Sequence, residues 1–381
     1  CIVLCHSLFL SLVTQIYGAI RTDYKWENVK NGIKLYNYTQ NDQFGYVMKN
    51  LEESTCLKWN KSMTKLLSGQ GINVLWHDKE CYSLEIGPNS SKIPNTIFAT
   101  YSCMGNYYVM LGLVFNALGL SYEHNRNDRN MYVTINDSNV ENYNKKYLQR
   151  DIDLNYTTET FGTTYDYGSI THGDPKFYSS NGQETITTVG SYTGWHDKMI
   201  GQKSIESFNE YKLFNYLYCN RTCSTSITCY REGYQDPNNC KQCKCPYPFV
   251  EPYCLNLRPN KEYCAGIQNL NATDEEQKRG FATQYSSCYV YIFAPKDQKI
   301  RINITALNFQ IPENERCSAG YSNVVEIIYE KDESTMGLCL CATIGGKYSN
   351  VSVTSYNHEA FFVFKASKFG PSVEFYYMAV H

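Results

Sequence analysis

The chain of 381 residues is short of net charge: 35 Lys and Arg against 37 Asp and Glu leave −2, and charged residues make up only 19%. Without a basic excess there is no electrostatic reason to expect nucleic acid or an acidic membrane as a partner. Beyond the first 13 residues no apolar run approaches the ~20 residues that a membrane helix needs, which excludes a multi-span membrane protein. Internal repeats and low-complexity tracts are also missing, so a collagen is excluded. With 43% hydrophobic residues, disorder is excluded as the main state. The length fits two to three domains at ~150 residues each. What the chain has in plenty is tyrosine, 35 residues, and cysteine, 17 residues. So many cysteines point to an oxidising compartment unless they bind metal or do redox chemistry.

Two further features favour secretion. Cys1–Val13 is almost wholly apolar but too short to span, and Gly18-Ala19 offers small residues for cleavage. Residues 1–18 therefore read as a signal peptide, and a first residue other than Met leaves its start open. Nine Asn-x-Ser/Thr acceptors follow, at Asn37, Asn60, Asn89, Asn136, Asn155, Asn220, Asn271, Asn303 and Asn350, and suit a glycosylated surface. The expected localisation is extracellular, with no membrane span.

Cysteine spacing divides the remainder. Cys56, Cys81 and Cys103 are far apart, as in a large domain with few bridges. Six cysteines crowd between Cys223 and Cys254, where little apolar sequence intervenes and disulfides must do the work of a core. Zinc is the rival reading of Cys240-Lys-Gln-Cys243-Lys-Cys245, disfavoured in an oxidising compartment. From Cys264 onward, Tyr289–Phe293, Ile300–Ile304, Val324–Tyr329 and Ala360–Phe364 read as strands of a β-sandwich. In the first 219 residues, Asn41 and Asp42 can cap a helix with Phe44, Val47, Met48 and Leu51 on one face. Cys56–Trp59 and Ile72–Trp76 read as strands. Tyr107–Leu118 reads as a buried helix ended by Gly119.

The stretch Gly112-Leu-Val-Phe-Asn-Ala-Leu-Gly-Leu-Ser-Tyr-Glu-His-Asn-Arg-Asn-Asp-Arg129, followed by Tyr132-Val-Thr-Ile135, resembles the zinc-site region of the astacin family of secreted metalloendopeptidases. That family carries H-E-x-x-H-x-x-G-x-x-H-E, then R-x-D-R and a Tyr-Val-x-Ile strand. Tyr165–His172 is similar to the segment leading into the family's Met-turn, and Ala19-Ile20 with Tyr24-Lys-Trp26 is similar to its mature N-terminus. Ile200-Gly-Gln202 and Leu217-Tyr-Cys219 extend the likeness. The Cys-rich piece resembles an EGF-like module and Cys264–Val380 a CUB domain, the order found in many nematode astacins. The resemblance implies an α+β architecture: a two-lobed astacin-like domain over 19–219, an EGF-like module over 220–258 and an all-β CUB sandwich over 259–381.

Placed on this pattern, the chemistry is missing. A working site uses two His one helical turn apart and a third after a Gly-permitted turn to hold Zn²⁺, with a Glu to deprotonate its water. The zinc-ligand positions are Gly112, Asn116 and Tyr122, and the general-base position is Leu113. Thr171 replaces the Met-turn methionine and Gly173 the tyrosine after the Met-turn His. No catalytic residue, metal ligand or cofactor is therefore expected, zinc being the cofactor only if the chain works as its family does. His124 and His172 could lie near each other, but two imidazoles make no zinc site, and they read as surface or turn residues. The retained residues are those that shape the fold: Gly119 for the turn, and Arg126, Asp128 and Arg129 for a local ion-pair set. Glu123 matches the family's buried Glu that bonds the mature α-ammonium, so Ala19, freed after Gly18, is expected near it.

By the same resemblance the disulfides are Cys56–Cys219, Cys81–Cys103, Cys223–Cys240, Cys229–Cys243, Cys245–Cys254, Cys264–Cys288 and Cys317–Cys339, with Cys341 odd; Cys339 and Cys341 can exchange roles. The calcium-site Asp of CUB domains is Asn323 here, one charged ligand fewer. The expected function is that of a pseudoprotease binding an extracellular protein or peptide. The alternatives are an active zinc endopeptidase and a structural matrix component. The sequence does not set the oligomeric state.

Overall fold

The computed structural model describes residues 19–38, 42–89, 91, 93–260, 264, 268–282, 286–309, 316–321, 323–341, 350–367 and 370–381. The readings placed on residues 1–18 and on Asn41 lie outside these.

The chain enters through β1 (Ile20–Arg21) and β2 (Ile33–Asn37), then α1 (Asp42–Ser54). The α1 positions Phe44, Val47, Met48 and Leu51 recur at helical spacing and are all buried, so the amphipathic stripe carries the helix. The strands β3 (Trp59–Lys61), β4 (Ile72–Trp76), β5 (Tyr82–Ser83) and β6 (Asn95–Ala99) complete an upper sheet in the order β3-β2-β4-β6-β5. All its pairings are parallel except β5 with β6. The predicted strand at Cys56–Trp59 is displaced: Cys56 is bonded to Cys219 and Leu57 is wholly buried, so pairing begins only at Trp59.

A short α2 (Tyr101–Met104) leads into α3 (Tyr107–Leu118). The Asn106 side chain accepts from the N–H groups of Tyr108 and Val109, capping the start. Every residue from Met110 to Leu118 is buried, and Gly119 ends the helix at φ 114°, a conformation that a side chain disfavours. The lower lobe has little regular structure: β7 (Val133–Ile135) pairs with β9 (Ile186–Thr188), and β8 (Thr158–Glu159) pairs with β1. The helices α4 (Thr193–Met199) and α5 (Phe208–Phe214) close it.

The Cys-rich piece holds two hairpin-like pairs, β10 (Tyr234–Gln235) with β11 (Cys243–Lys244) and β12 (Phe249–Val250) with β13 (Asn256–Leu257). Its six cysteines join as Cys223–Cys240, Cys229–Cys243 and Cys245–Cys254, which commits Cys240, Cys243 and Cys245 to disulfides. Two sheets then face each other. One runs β14 (Asn269–Asn271), β16 (Ser286–Phe293), β21 (Glu359–Ala366), β18 (Val324–Ile328), β19 (Leu338–Leu340) in spatial order. The other runs β15 (Gln277–Ala282), β22 (Ser372–Val380), β17 (Lys299–Asn308), β20 (Val351–Thr354). The alternating burial of β22 and β17 turns Val373, Phe375, Tyr377, Ile300, Ile302 and Ile304 into a shared core.

The remaining bonds are Cys56–Cys219, Cys81–Cys103, Cys264–Cys288 and Cys317–Cys341. The last corrects the expected Cys317–Cys339. Cys339 sits mid-strand in β19 opposite Glu326, its thiol on the Gly337 carbonyl and wholly buried. Cys341 lies one residue past the strand end, where its Cα is 5.7 Å from that of Cys317, within the span of a disulfide.

The sandwich is packed onto the lower lobe. Met199 of α4 belongs to the sandwich's own core, with Tyr167, Tyr192 and Trp195 packed against it. The Lys198 carbonyl accepts from the Cys317 N–H at 2.8 Å, and Arg316 donates to the Asp197 carbonyl at 2.9 Å. The β18–β19 loop reaches furthest: Asp332 accepts from the Thr164 N–H (3.0 Å), and Met336 fills the space beside Gly168 that a Cβ would need.

Candidate functional site

The site begins with α3. Its apolar composition buries it from Met110 on, so Gly112, Leu113 and Asn116 all lie in the core. Gly112 offers no donor, and the place of a Cβ would lie 3.6 Å from the Ile170 carbonyl oxygen and 4.0 Å from its Cδ1. Leu113 is buried and apolar. The Asn116 amide is spent locally, donating from Nδ2 to the Leu120 carbonyl at 2.9 Å, while its main-chain carbonyl accepts from Gly87 and Gly119. Tyr122 is half-buried, stacks on His124 (centroids 5.3 Å apart) and meets Tyr147 and Phe177.

The structure corrects the reading of His124 and His172 as surface or turn residues. Both are buried, their ring centroids 5.5 Å apart. The Gly173 N–H donates to His124 Nδ1 at 2.9 Å, leaving Nε2 to carry the proton and donate to the Tyr147 carbonyl at 3.1 Å. In His172 the roles reverse: Nδ1 faces the Gly173 carbonyl at 2.7 Å and carries the proton, and Nε2 accepts from the Tyr165 hydroxyl at 2.7 Å. All four ring nitrogens are engaged. Burial holds His124 well below the usual imidazole range and His172 down to about 3, so both rings are neutral at physiological pH. A Cβ at Gly173 would meet Phe177 Cγ at 2.8 Å, Ile186 Cδ1 at 3.0 Å and His124 Cε1 at 3.1 Å. The space beside Gly173 is therefore filled by Phe177, Ile186 and His124.

The segment before His172 is tied by acids rather than by sulfur. Thr171 Oγ1 meets Ser169 Oγ at 2.9 Å, and Glu210 accepts from Ser169 Oγ (2.6 Å), the Ile170 N–H (2.8 Å) and the Ser207 N–H (2.8 Å). Burial pushes the Glu210 carboxyl up to about 8 against those hydrogen bonds. Lys203 Nζ donates to the carbonyls of Ile170 and His172.

The retained residues after Tyr122 form a structural knot. Arg126 grips Asp128 with two parallel bonds (2.9 and 2.8 Å), reaches Glu123 at 3.2 Å and donates to the Thr163 and Thr164 carbonyls at 3.1 Å. Arg129 donates to the carbonyls of His124 and Leu148. Glu123 also takes the Asp166 N–H at 2.9 Å, and burial raises its carboxyl to about 7. Ala19 is buried, its carbonyl taken by the Ser121 N–H, but its nitrogen lies 3.3 Å from the Glu159 carbonyl. Here Ala19 still follows Gly18 in the chain, so its nitrogen is a peptide N–H, and the contact of an Ala19 α-ammonium with Glu123 stays an expectation for the cleaved chain; Glu123 is meanwhile held by Arg126 and Asp166. Asp151 escaped the sequence reading altogether: it is fully buried, bonded to Ser121 Oγ at 2.5 Å, and nothing around it in sequence marks it.

Zinc does not fit this donor set. Glycine, leucine, an engaged amide and a stacked phenol replace three imidazoles and a carboxylate, and the two nearby imidazoles have no open nitrogen. Among the described residues no group of three or more His, Cys, Asp or Glu could hold a metal ion. Asn323 Oδ1 is likewise occupied, accepting from the Ser367 N–H at 2.9 Å.

A helix-bearing upper lobe over an irregular lower one, with an R-x-D-R knot between, defines the class of fold. Residues 20–219 match the family model described as Astacin, a peptidase family, and the chain belongs to that family. It is 30% identical over 319 residues to zinc metalloproteinase nas-34 of Caenorhabditis elegans, covering 80% of this chain and 48% of that protein. It is 29% identical over 267 residues to zinc metalloproteinase dpy-31 of the same organism, covering 68% and 44%. The chain spans about half the length of these relatives. Among solved structures, high choriolytic enzyme 1, a hatching enzyme zinc-protease from Oryzias latipes (medaka fish), aligns with 51% of this chain and 92% of that chain. That alignment has a TM-score of 0.42 at 22% identity.

Proposed function

We propose that this chain is an extracellular pseudoprotease, an astacin-family scaffold that acts by binding protein or peptide rather than by cutting it. The observation that carries the reading is the donor set: Gly112, Leu113, Asn116 and Tyr122 supply neither imidazole nor carboxylate, and His124 and His172 are neutral and fully bonded. Seven disulfides among the described residues support an oxidising, extracellular setting. No helix among those residues is long and apolar enough to cross a membrane.

Binding can use the upper sheet. Its edge strand β5 is paired on one side only, and an extended peptide can add to such an edge through main-chain hydrogen bonds that need no metal. Leu84, which follows β5 directly, is exposed. The Cys-rich piece and the sandwich, read as EGF-like and CUB modules, are of kinds that commonly bind protein.

The test is metal analysis of the purified secreted protein beside a casein or gelatin assay, with and without chelator. No stoichiometric zinc and no chelator-sensitive hydrolysis are expected. Stoichiometric zinc with such hydrolysis would restore the active endopeptidase reading. A stoichiometric partner in a pull-down, lost in Leu84→Lys, separates a binder from a bulk matrix component.

A further inference from the structure

Three grooves on the described surface each carry an Asn-x-Ser/Thr acceptor in their wall: Asn37 in one of about 620 Å³, Asn136 in one of about 740 Å³ and Asn350 in one of about 540 Å³. The third has walls from different parts of the fold. One wall is Tyr192, Trp195 and Lys198 of the lower lobe, and the other is Asn350 with Val351 and Ser352, where β20 begins. Asn350 and Ser352 are exposed while Val351 is buried, and β20 is an edge strand of its sheet. Trp195 packs partly against the sandwich core, with Lys198 Nζ 4.9 Å from its ring centre.

We propose that Asn350 carries an N-linked glycan whose first N-acetylglucosamine residues lie in this groove against Trp195 and brace the β-sandwich on α4. The proposal rests on passage through the secretory compartment, as in the reading above. The donor is a lipid-diphosphate-linked oligosaccharide. Asn350 Nδ2 forms the bond to the anomeric carbon, the bond from that carbon to the diphosphate oxygen breaks, and the amide proton leaves with the lipid diphosphate. No oxidant or reductant is involved.

Three physical features suit a sugar here. The C–H face of a pyranose is weakly positive and matches the negative face of an indole ring. The groove volume lies within the ~300–1,000 Å³ of small-molecule seats. Covalent attachment at one wall holds the sugar at high effective concentration beside the other. A glycan at the head of β20 also shields an edge that would otherwise be open to another strand.

The test uses the full chain secreted from a eukaryotic host, with glycopeptide mass spectrometry and timed release by peptide-N-glycosidase from the native protein. Asn350 is expected to be occupied, and its glycan to be released several-fold more slowly than one at exposed Asn271. Trp195→Ala should remove that difference, and Asn350→Gln and Ser352→Ala should lower the melting temperature alike. Glycans elsewhere with Asn350 bare, or equal release rates at Asn350 and Asn271 in the unmutated protein, would overturn the brace. A secreted product with no glycan on any acceptor would overturn the secretory reading and the brace together.

Discussion

At the scale of single residues, the positions that hold the zinc ligands and the base in the family carry glycine, leucine, an amide and a phenol. Gly112 and Leu113 could be read from sequence as chemically empty, but that His124 and His172 would become core residues could not. Their neutrality depends on the Gly173 main chain, the Tyr165 hydroxyl and the Tyr147 carbonyl, which lie up to 49 positions away in sequence. This has a pH consequence. Unfolded His172 takes up a proton below about 6.5, whereas the folded form refuses it until about 3. Stability is therefore full above 6.5 and falls as pH drops toward 3, by about 1.4 kcal/mol per pH unit for each such histidine. Glu210 acts in the opposite sense: its folded pKa of about 8 lies above the ordinary 4.5, so its contribution is full below 4.5 and lost as pH rises through 8. Urea melts across pH 4–9 should show His172→Gln with a shallower acid slope than the parent and Glu210→Gln with a shallower alkaline one. Parallel pH profiles for parent and variants would refute the buried-neutral assignment.

At the scale of elements, regular periodicity was readable and irregular structure was not. Both α1 and α3, and the strands at the heart of the sandwich, follow from apolar spacing and stop signals. The short strands β2, β6 and β15, and the long β22, were missed because turn residues and polar alternates break up or mask their pattern. Gly119 was assigned its role correctly, since φ 114° follows the last turn of α3. Space is not the reason for glycine there: a Cβ would lie 3.8 Å or more from its nearest neighbours. Gly119→Ala should therefore cost about 1–2 kcal/mol through backbone strain alone, seen as a lower denaturation midpoint with unchanged slope. The disulfide at β19 shows where spacing misleads. Cys339 and Cys341 differ by only two residues in their distance from Cys317 along the chain, and the strand end decides between them. Cys341→Ala should lose about 2–4 kcal/mol with its bridge. Cys339→Ala removes only a buried thiol and should cost far less. Peptide mapping without reductant should find Cys339 as the free thiol among the described residues once the protein is denatured.

At the scale of the whole molecule, the attachment of sandwich to lower lobe was invisible in sequence, because each contact joins residues more than a hundred positions apart. Asp332 lies in Lys-Asp-Glu-Ser-Thr, which reads as a solvated turn, yet it is 5% exposed. One carboxylate oxygen accepts from the Thr164 N–H and hydroxyl and from Asn209 Nδ2, the other from the Ser334 N–H and hydroxyl. The Thr164 carbonyl in turn accepts from Arg126, so the sandwich is anchored to the same strip of chain that the R-x-D-R knot holds. Arg231 of the Cys-rich piece makes a second tie, bidentate to Glu359 (2.8 and 3.0 Å) and 3.0 Å from Glu333. Removing one carboxylate from such a network strands several buried donors, each costing about 1–3 kcal/mol. Asp332→Ala should therefore uncouple the two parts, and calorimetry should show two unfolding transitions where the parent shows one. Limited proteolysis should then cut between residues 219 and 264, leaving a stable fragment that ends near Cys219. A single transition in Asp332→Ala, shifted but not split, would mean that the apolar contact of Met199, Tyr192 and Trp195 with the sandwich core suffices to keep the parts cooperative.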